Sequence, residues 1–213
     1  MKGIFITGTD TGVGKSYFTA LLTRALRAKS ISAIPLKPIS AGDRADAKLL
    51  SESAGGTISP AEINPVHFTA PLSPYAASIM EGRPFPWGVL REKLLQIEAN
   101  YPGPFLVEGV GGWRVPLDPT LGVREWAQEL ALPIVVVARN TLGTLNHTLL
   151  TVDSIRQTRL PILGLILNEP IASPDLSSFT NPALLEELTR LPVLVLPHQA
   201  TDLPTLPSWL IPA

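Results

Sequence analysis

Residues 7–16 read TGTDTGVGKS, directly after the apolar run GIFIT and before an amphipathic stretch. A strand, a glycine-rich turn and a Lys-Ser pair that opens a helix form a setting for anion binding. Glycines let the chain curl until successive N–H groups point at phosphate oxygens. The helix that follows turns its positive end toward the same anion. Lys15 would neutralise the β and γ phosphates, and the Ser16 hydroxyl would ligate Mg²⁺. The spacing is irregular. The usual loop has four residues between its first glycine and Gly-Lys-Ser/Thr, and here five separate Gly8 from Gly14. The GVGKS half is intact, so nucleotide binding remains the expectation over a plain glycine-rich turn.

Phosphoryl chemistry on such a loop needs carboxylates for the metal. Glu108 ends the run FLVE and meets a glycine-rich loop. There it reads as a cation ligand rather than an edge residue facing solvent. Asp46 lies early in a helical stretch. It could serve the same cation, or simply favour the helix N-terminus. Lys37 follows a buried strand, where an ammonium is costly unless an anion meets it. The alternative is a side chain that snorkels to the surface. Ser40 and Gly42 follow in a turn within reach of a ligand. His67, His147 and His198 are too scattered to form a metal site, and His147 reads as a satisfied helix histidine. No Ser-His-Asp pattern is visible. Of the four tryptophans, Trp87, Trp126 and Trp209 read as core or interface. Trp113, just after Gly111-Gly112, lies close to the expected metal site.

These residues need a frame. Apolar runs at 3–7, 31–38, 104–109, 133–138, 162–168 and 192–197 are continuous rather than alternating, as in strands covered on both faces. Helical stretches fall between them at 16–28, 45–53, 87–99, 123–130, 145–158 and 182–190. This alternation predicts an α/β chain, a mostly parallel sheet with helices on both faces. No linker divides it, so a single domain over 1–213 is expected. Residues 64–84 read as a long proline-rich loop with a short helix. In such a sheet ligands bind beyond the carboxyl ends of the strands. The loops at 37–42, 108–113, 138–147, 168–170 and 197–199 are therefore the ones that matter.

Composition narrows the partners. The chain has 213 residues, 45% hydrophobic and 16% charged, with a net charge of −1. It is globular, and without a basic cluster nucleic acid is not expected. With no cysteine, disulfides and thiolate chemistry are excluded. No run approaches the ~18 apolar residues of a membrane span, and no targeting segment is seen. A cytoplasmic, soluble protein is expected.

Taken together, TGTDTGVGKS, KPISAG, PLSPYAAS, VEGVGGWRVPL and TLGTLNHTLLT, in that order, resemble the dethiobiotin synthetase family over roughly residues 1–170. That family makes biotin's ureido ring precursor with ATP, and five residues in its phosphate loop are a family feature. The resemblance implies a P-loop NTPase-like fold and the substrates ATP, CO₂ or bicarbonate and 7,8-diaminononanoate. It also implies Mg²⁺ and a homodimer. In the implied reaction one amine captures CO₂ as a carbamate. The carbamate oxygen attacks the γ-phosphate, and the second amine closes the ring.

Carried over by position, Lys15 and Lys37 are the catalytic cations, and Ser16, Asp46 and Glu108 hold Mg²⁺. Gly12, Val13, Gly14, Lys15, Ser16 and Tyr17 cradle the triphosphate, joined by Asp46, Glu108, Gly109, Val110 and Gly111. Asn168, with Glu169 beside it, reads adenine, and Pro197, His198 and Gln199 lie along the base. Thr11, Lys37, Ser40 and Ala41 meet the diamine. Gly143 and Asn146 hold its carboxylate across the subunit interface. Two positions depart from the family. Gly12 stands where an acidic residue is frequent, and Ala41 stands where a hydroxyl is usual, with Ser40 one residue earlier. Intact Lys15, Ser16, Lys37 and Glu108 argue against a catalytically dead nucleotide binder, which leaves two rivals. Corrin-amidating ligases are usually fused to a glutaminase with a nucleophilic cysteine, which this chain lacks. The other rival is a switch ATPase of the partition or septum-positioning type. Its KGGxGK lysine falls here on Asp10.

Overall fold

The computed structural model describes residues 1–172 and 175–212. In chain order it contains β1 (Gly3–Gly8), α1 (Lys15–Ala28), β2 (Ile34–Leu36), β3 (Ile39–Ala41), α2 (Ala45–Ser53), α3 (Pro60–Ile63), β4 (Val66–Phe68) and α4 (Pro74–Met80). Then follow α5 (Trp87–Asn100), β5 (Phe105–Glu108), α6 (Val123–Leu130), β6 (Ile134–Arg139), α7 (Thr144–Arg156), β7 (Ile162–Asn168), α8 (Leu176–Thr189), β8 (Val193–Leu196) and a 3-10 turn at Ser208–Leu210.

Six strands form one parallel sheet in the order β2-β5-β1-β6-β7-β8. Each of the six apolar runs became a strand of this sheet. Their lack of alternation has a plain cause. Successive side chains point to opposite faces, and both faces are cores here. Phe5, Val107 and Val136 feed the core beneath α5, α6 and α7. Ile4, Ile6, Leu106, Val135 and Val137 feed the other, against Phe18, Leu21, Leu22 and Leu26 of α1 and the C-terminal segment. Phe5 meets Trp126 edge to face, with centroids 5.3 Å apart. Burying each such large side chain stabilises the fold by about 1.5–3 kcal/mol. β1 lies between β5 and β6, so the order reverses direction beside it. A crevice is expected at that switch point, and TGTDTGVGKS leaves β1 into it.

Three features differ from expectation. The segment 64–84 carries a strand, β4, besides its helix. Ser40 of β3 pairs with His67 of β4 in a second, two-stranded parallel sheet. Strands of three residues are too short for periodicity to reveal. The last helix starts at Leu176, not at Pro182. Proline often marks the first turn of a helix, but here it sits inside one. It cannot donate to the Ser178 carbonyl four residues back, and the Asn140 amide of the β6–α7 loop donates to it instead at 3.0 Å. Asp175 caps this helix, its carboxylate accepting from the Ser178 N–H. Finally, His147 is exposed on α7 rather than satisfied within the fold.

Candidate active site

The phosphate loop bends twice through left-handed backbone. Gly12 has φ +68° and Gly14 has φ +102°. Gly14 has a second reason to be glycine, since a Cβ there would lie 2.4 Å from the Asn168 amide nitrogen. Gly14 leads directly into α1, and no side chain caps that end. The first N–H groups of α1 are thus free for an anion. Lys15 is buried and its Nζ donates to the Asp10 carbonyl at 2.9 Å. Burial, reinforced by the nearby Lys37 ammonium, lowers its pKa from 10.5 to about 8.

Behind the loop four side chains converge from four elements. Ser16 opens α1, Lys37 follows β2, Asp46 lies in the first turn of α2 and Glu108 ends β5. The Lys37 ammonium bridges both carboxylates, donating to Glu108 Oε1 and, at 3.0 Å, to Asp46 Oδ2. The Ser16 hydroxyl donates to Glu108 Oε1 at 2.8 Å. Lys37 is buried, which opposes its charge, but Glu108 and Asp46 prevail and raise its pKa. Burial likewise opposes the Asp46 charge, and Lys37 more than offsets it, holding that carboxyl below its usual range. Glu108 is fully buried, and its Oε2 has no hydrogen-bond partner. A buried carboxylate oxygen without a donor is costly. Its other oxygen, Oε1, meets the Ser16 hydroxyl and the Lys37 ammonium that Asp46 shares. Hard oxygen donors of this kind suit Mg²⁺, so the residues present fit such an ion.

Lys37 is held by its backbone as well. Asn64, itself buried, donates from its amide to the Lys37 carbonyl at 2.9 Å and to Val66 O at 3.2 Å. The Lys37 N–H reaches Ile63 O at 3.1 Å. The Ser40 hydroxyl donates to Asn64 Oδ1 at 2.8 Å. Ser40 and Ala41 are neighbours on a strand, so their side chains take opposite faces. With its proton committed to Asn64, the Ser40 oxygen can only accept from another group.

A cavity of about 370 Å³ joins these parts. Thr11, Gly12, Gly14, Lys15, Ser16, Tyr17, Lys37, Ser40, Ala41, Asp46, Glu108, Val110 and Gly111 line it, all of them expected from the sequence. Asp43 and Leu49 line it too and were not foreseen. Val13 is buried beneath the loop, and the Gly109 N–H is tied to Ile6 O at 2.9 Å. Asn168 lies on the far side of the loop and donates to Val13 O at 3.1 Å. Glu169 follows, its N–H on Leu196 O at 2.9 Å. Pro197, His198 and Gln199 form a turn after β8, outside the cavity, as are Gly143 and Asn146 at the exposed start of α7. Trp113 is buried and its indole N–H has no partner. Arg139 was also missed. It ends β6 and donates through Nε and Nη2 to the Gly12 carbonyl at 3.2 and 3.0 Å. Its guanidinium lies where a side chain at 12 would begin, since a Cβ on Gly12 would sit 3.1 Å from Nη2. An apolar-periodicity reading carries no signal for a contact 127 residues apart.

Comparison with known proteins adds to this geometry. A family model described as an AAA domain matches residues 2–201. An ATP-dependent dethiobiotin synthetase of Anaeromyxobacter dehalogenans is 41% identical over 204 residues, 93% of this chain and 91% of that protein. One from Akkermansia muciniphila is 36% identical, covering 91% of each chain. One from Bacillus subtilis is 38% identical, covering 91% of this chain and 86% of its own. Among solved structures, chloroplast FtsY of Physcomitrella patens superposes with a TM-score of 0.55 at 17% identity, over 94% of this chain and 60% of that one. FtsY of Thermotoga maritima gives 0.54 at 11% identity, over 98% and 66%. These two share the fold.

Proposed function

From the premise that the chain belongs to the ATP-dependent dethiobiotin synthetase family, and so is an ATP-dependent cyclo-ligase of biotin biosynthesis, we propose how its own residues carry the reaction. 7,8-Diaminononanoate and CO₂ give a carbamate on one amine. Its oxygen attacks the γ-phosphate of ATP, forming a carbamic-phosphoric anhydride with release of ADP. The second amine attacks the carbamoyl carbon, phosphate leaves, and the cyclic urea dethiobiotin remains. Charge builds on the transferring phosphoryl oxygens, so fixed cations and dipoles do most of the work.

In this reading residues 12–17 hold the triphosphate by backbone N–H groups and by Lys15. Lys15 leaves the Asp10 carbonyl to do so. Ser16, Asp46 and Glu108 would hold Mg²⁺, which supplies charge neutralisation between the phosphates. Lys37 then gives up its bridge between the carboxylates and faces the carbamate and γ-phosphate. Thr11, Ser40 and Ala41 lie along the diamine. Asn168 and the 197–199 turn take the base. Val110 and Gly111 close the γ-phosphate side. The observation that carries the reading is the meeting of Ser16, Lys37, Asp46 and Glu108 behind an intact phosphate loop. A lysine poised between two carboxylates stands within the same cavity as the phosphate loop, and Glu108 Oε2 lacks a partner that a cation would supply.

A homodimer belongs to the same reading. Leu142 just before α7, Leu150 midway along it, and Leu176 and Phe179 in the first turn of α8 expose between 64 and 86% of their surface. A cluster of large apolar side chains in water marks an interface. Gly143 and Asn146 lie within it, which suits a carboxylate site completed by a second subunit.

The test is phosphate release from Mg-ATP and bicarbonate, with and without the diamine. Release that depends on the diamine, and on Lys37 in a Lys37→Ala comparison, is expected. Turnover that ignores the diamine and answers to a protein partner would instead support a switch ATPase.

A further inference from the structure

Tyr17 follows the Lys15-Ser16 pair and lines the same cavity, and its side chain reaches the C-terminal segment. It packs on the same buried core as Ala200, Leu203, Leu206 and Trp209 of the C-terminal segment. Its hydroxyl donates to the Ala200 carbonyl. One helical face further on, Arg24 donates through Nη2 to the carbonyl of the next residue, Thr201, at 3.0 Å. Residues 17 and 24 are seven apart, two turns of α1, and so share a face. Two consecutive carbonyls of the segment after β8 are thus fastened to the helix whose N-terminus forms the phosphate cradle.

The fastened residues close a turn. The Ala200 N–H returns to Pro197 O at 3.2 Å, and Gln199 between them adopts left-handed backbone at φ +52°. A residue other than glycine holds that conformation only when its surroundings fix it. Asn168, the register partner of Leu196 just before this turn, is tied to the phosphate loop at Val13 O. Both walls around the base end are therefore registered to the loop and to α1.

We propose that Tyr17 is a positioning residue that sets the 197–200 turn against α1 and thereby fixes which nucleobase the site accepts. This rests on the reading above that the base lies between Asn168 and that turn. Tyr17 acts through the turn and touches no reacting atom.

The experiment measures binding to Tyr17→Phe by calorimetry, without the diamine. The probes are Mg-ATP, Mg-GTP, Mg-CTP and Mg-bound inorganic triphosphate. Losing one hydrogen bond should weaken ATP about three- to tenfold. GTP and CTP should change less, so the preference among bases narrows, and triphosphate affinity should match the wild type. In turnover, KM for ATP should rise while kcat holds. Arg24→Gln should shift ATP the same way by a smaller factor. ATP affinity unchanged in Tyr17→Phe overturns the proposal. So does a loss shared equally by inorganic triphosphate, which would put Tyr17 on the phosphates. A wild-type protein that binds ATP no better than triphosphate overturns it too, whatever the reaction. Because binding is read without the diamine, failure of the ligase reading leaves this result interpretable by itself.

Discussion

Lys15 titrates where the other site cations do not. Burial and Lys37 bring it down to about 8, whereas Lys37 is raised by its two carboxylates. Phosphate binding needs the charged form, so ATP affinity in the free enzyme should fall as pH climbs past about 8. Calorimetry between pH 7 and 9.5 reads this directly, and a flat profile would remove Lys15 from the phosphates. The sign for stability is the opposite of a salt bridge. The unfolded chain binds the extra proton between about 8 and 10.5, so this lysine burdens the fold fully below pH 8. The burden lifts as pH rises to 10.5. The candidate-site residues Lys15, Ser16, Lys37 and Glu108, which line one cavity, were all legible in the sequence. Each stands at the end of a strand or start of a helix, where side-chain type is not dictated by packing. Arg139 and Asn64 were not legible. One works through a carbonyl across the sheet, and the other lies inside a turn whose partner is a buried lysine.

At the scale of elements, the turn between β2 and β3 decides where Lys37 sits. Asn64 fastens it from the α3–β4 connection by one bond donated to Lys37 O and one accepted from Ser40, and also donates to Val66 O of β4. Replacing Asn64 by Ala leaves buried carbonyls unsatisfied, at about 1–3 kcal/mol. A lowered melting temperature is expected, together with a kcat that drops more than ATP affinity does. Wild-type kcat in a folded Asn64→Ala protein would separate this turn from catalysis. α2 and α6 were read to the residue because their apolar faces begin and end cleanly. β3 and β4 escaped because three residues carry no period. α8 was read six residues short because Pro182 looked like a beginning. Its missing N–H is made good by Asn140, a tertiary contact invisible to a local pattern.

For the whole molecule, the parallel sheet delivers every functional loop to one edge, while the start of α7 is left outside the cavity. That placement suits the dimer proposed above. Phe179→Asp, on the exposed apolar cluster, should shift sedimentation from dimer to monomer and raise KM for the diamine with ATP affinity kept. An unchanged sedimentation coefficient would move the interface elsewhere. The overall fold followed from burial on both faces of the strands. The assembly did not, since an exposed leucine looks the same in a sequence whether water or a second chain covers it.

Gly12 has one more consequence. Nothing acidic projects from that position, and among the described residues the Arg139 guanidinium beside it forms no ion pair. Arg139 therefore brings to the mouth of the loop a positive charge that no carboxylate pairs directly, with Asp10 of the same loop the acidic residue nearest in sequence to Gly12. Such a local field raises the encounter rate of a polyanion and is weakened by added salt. The missing side chain is thus felt in how quickly a nucleotide is captured, before any bond to phosphorus changes.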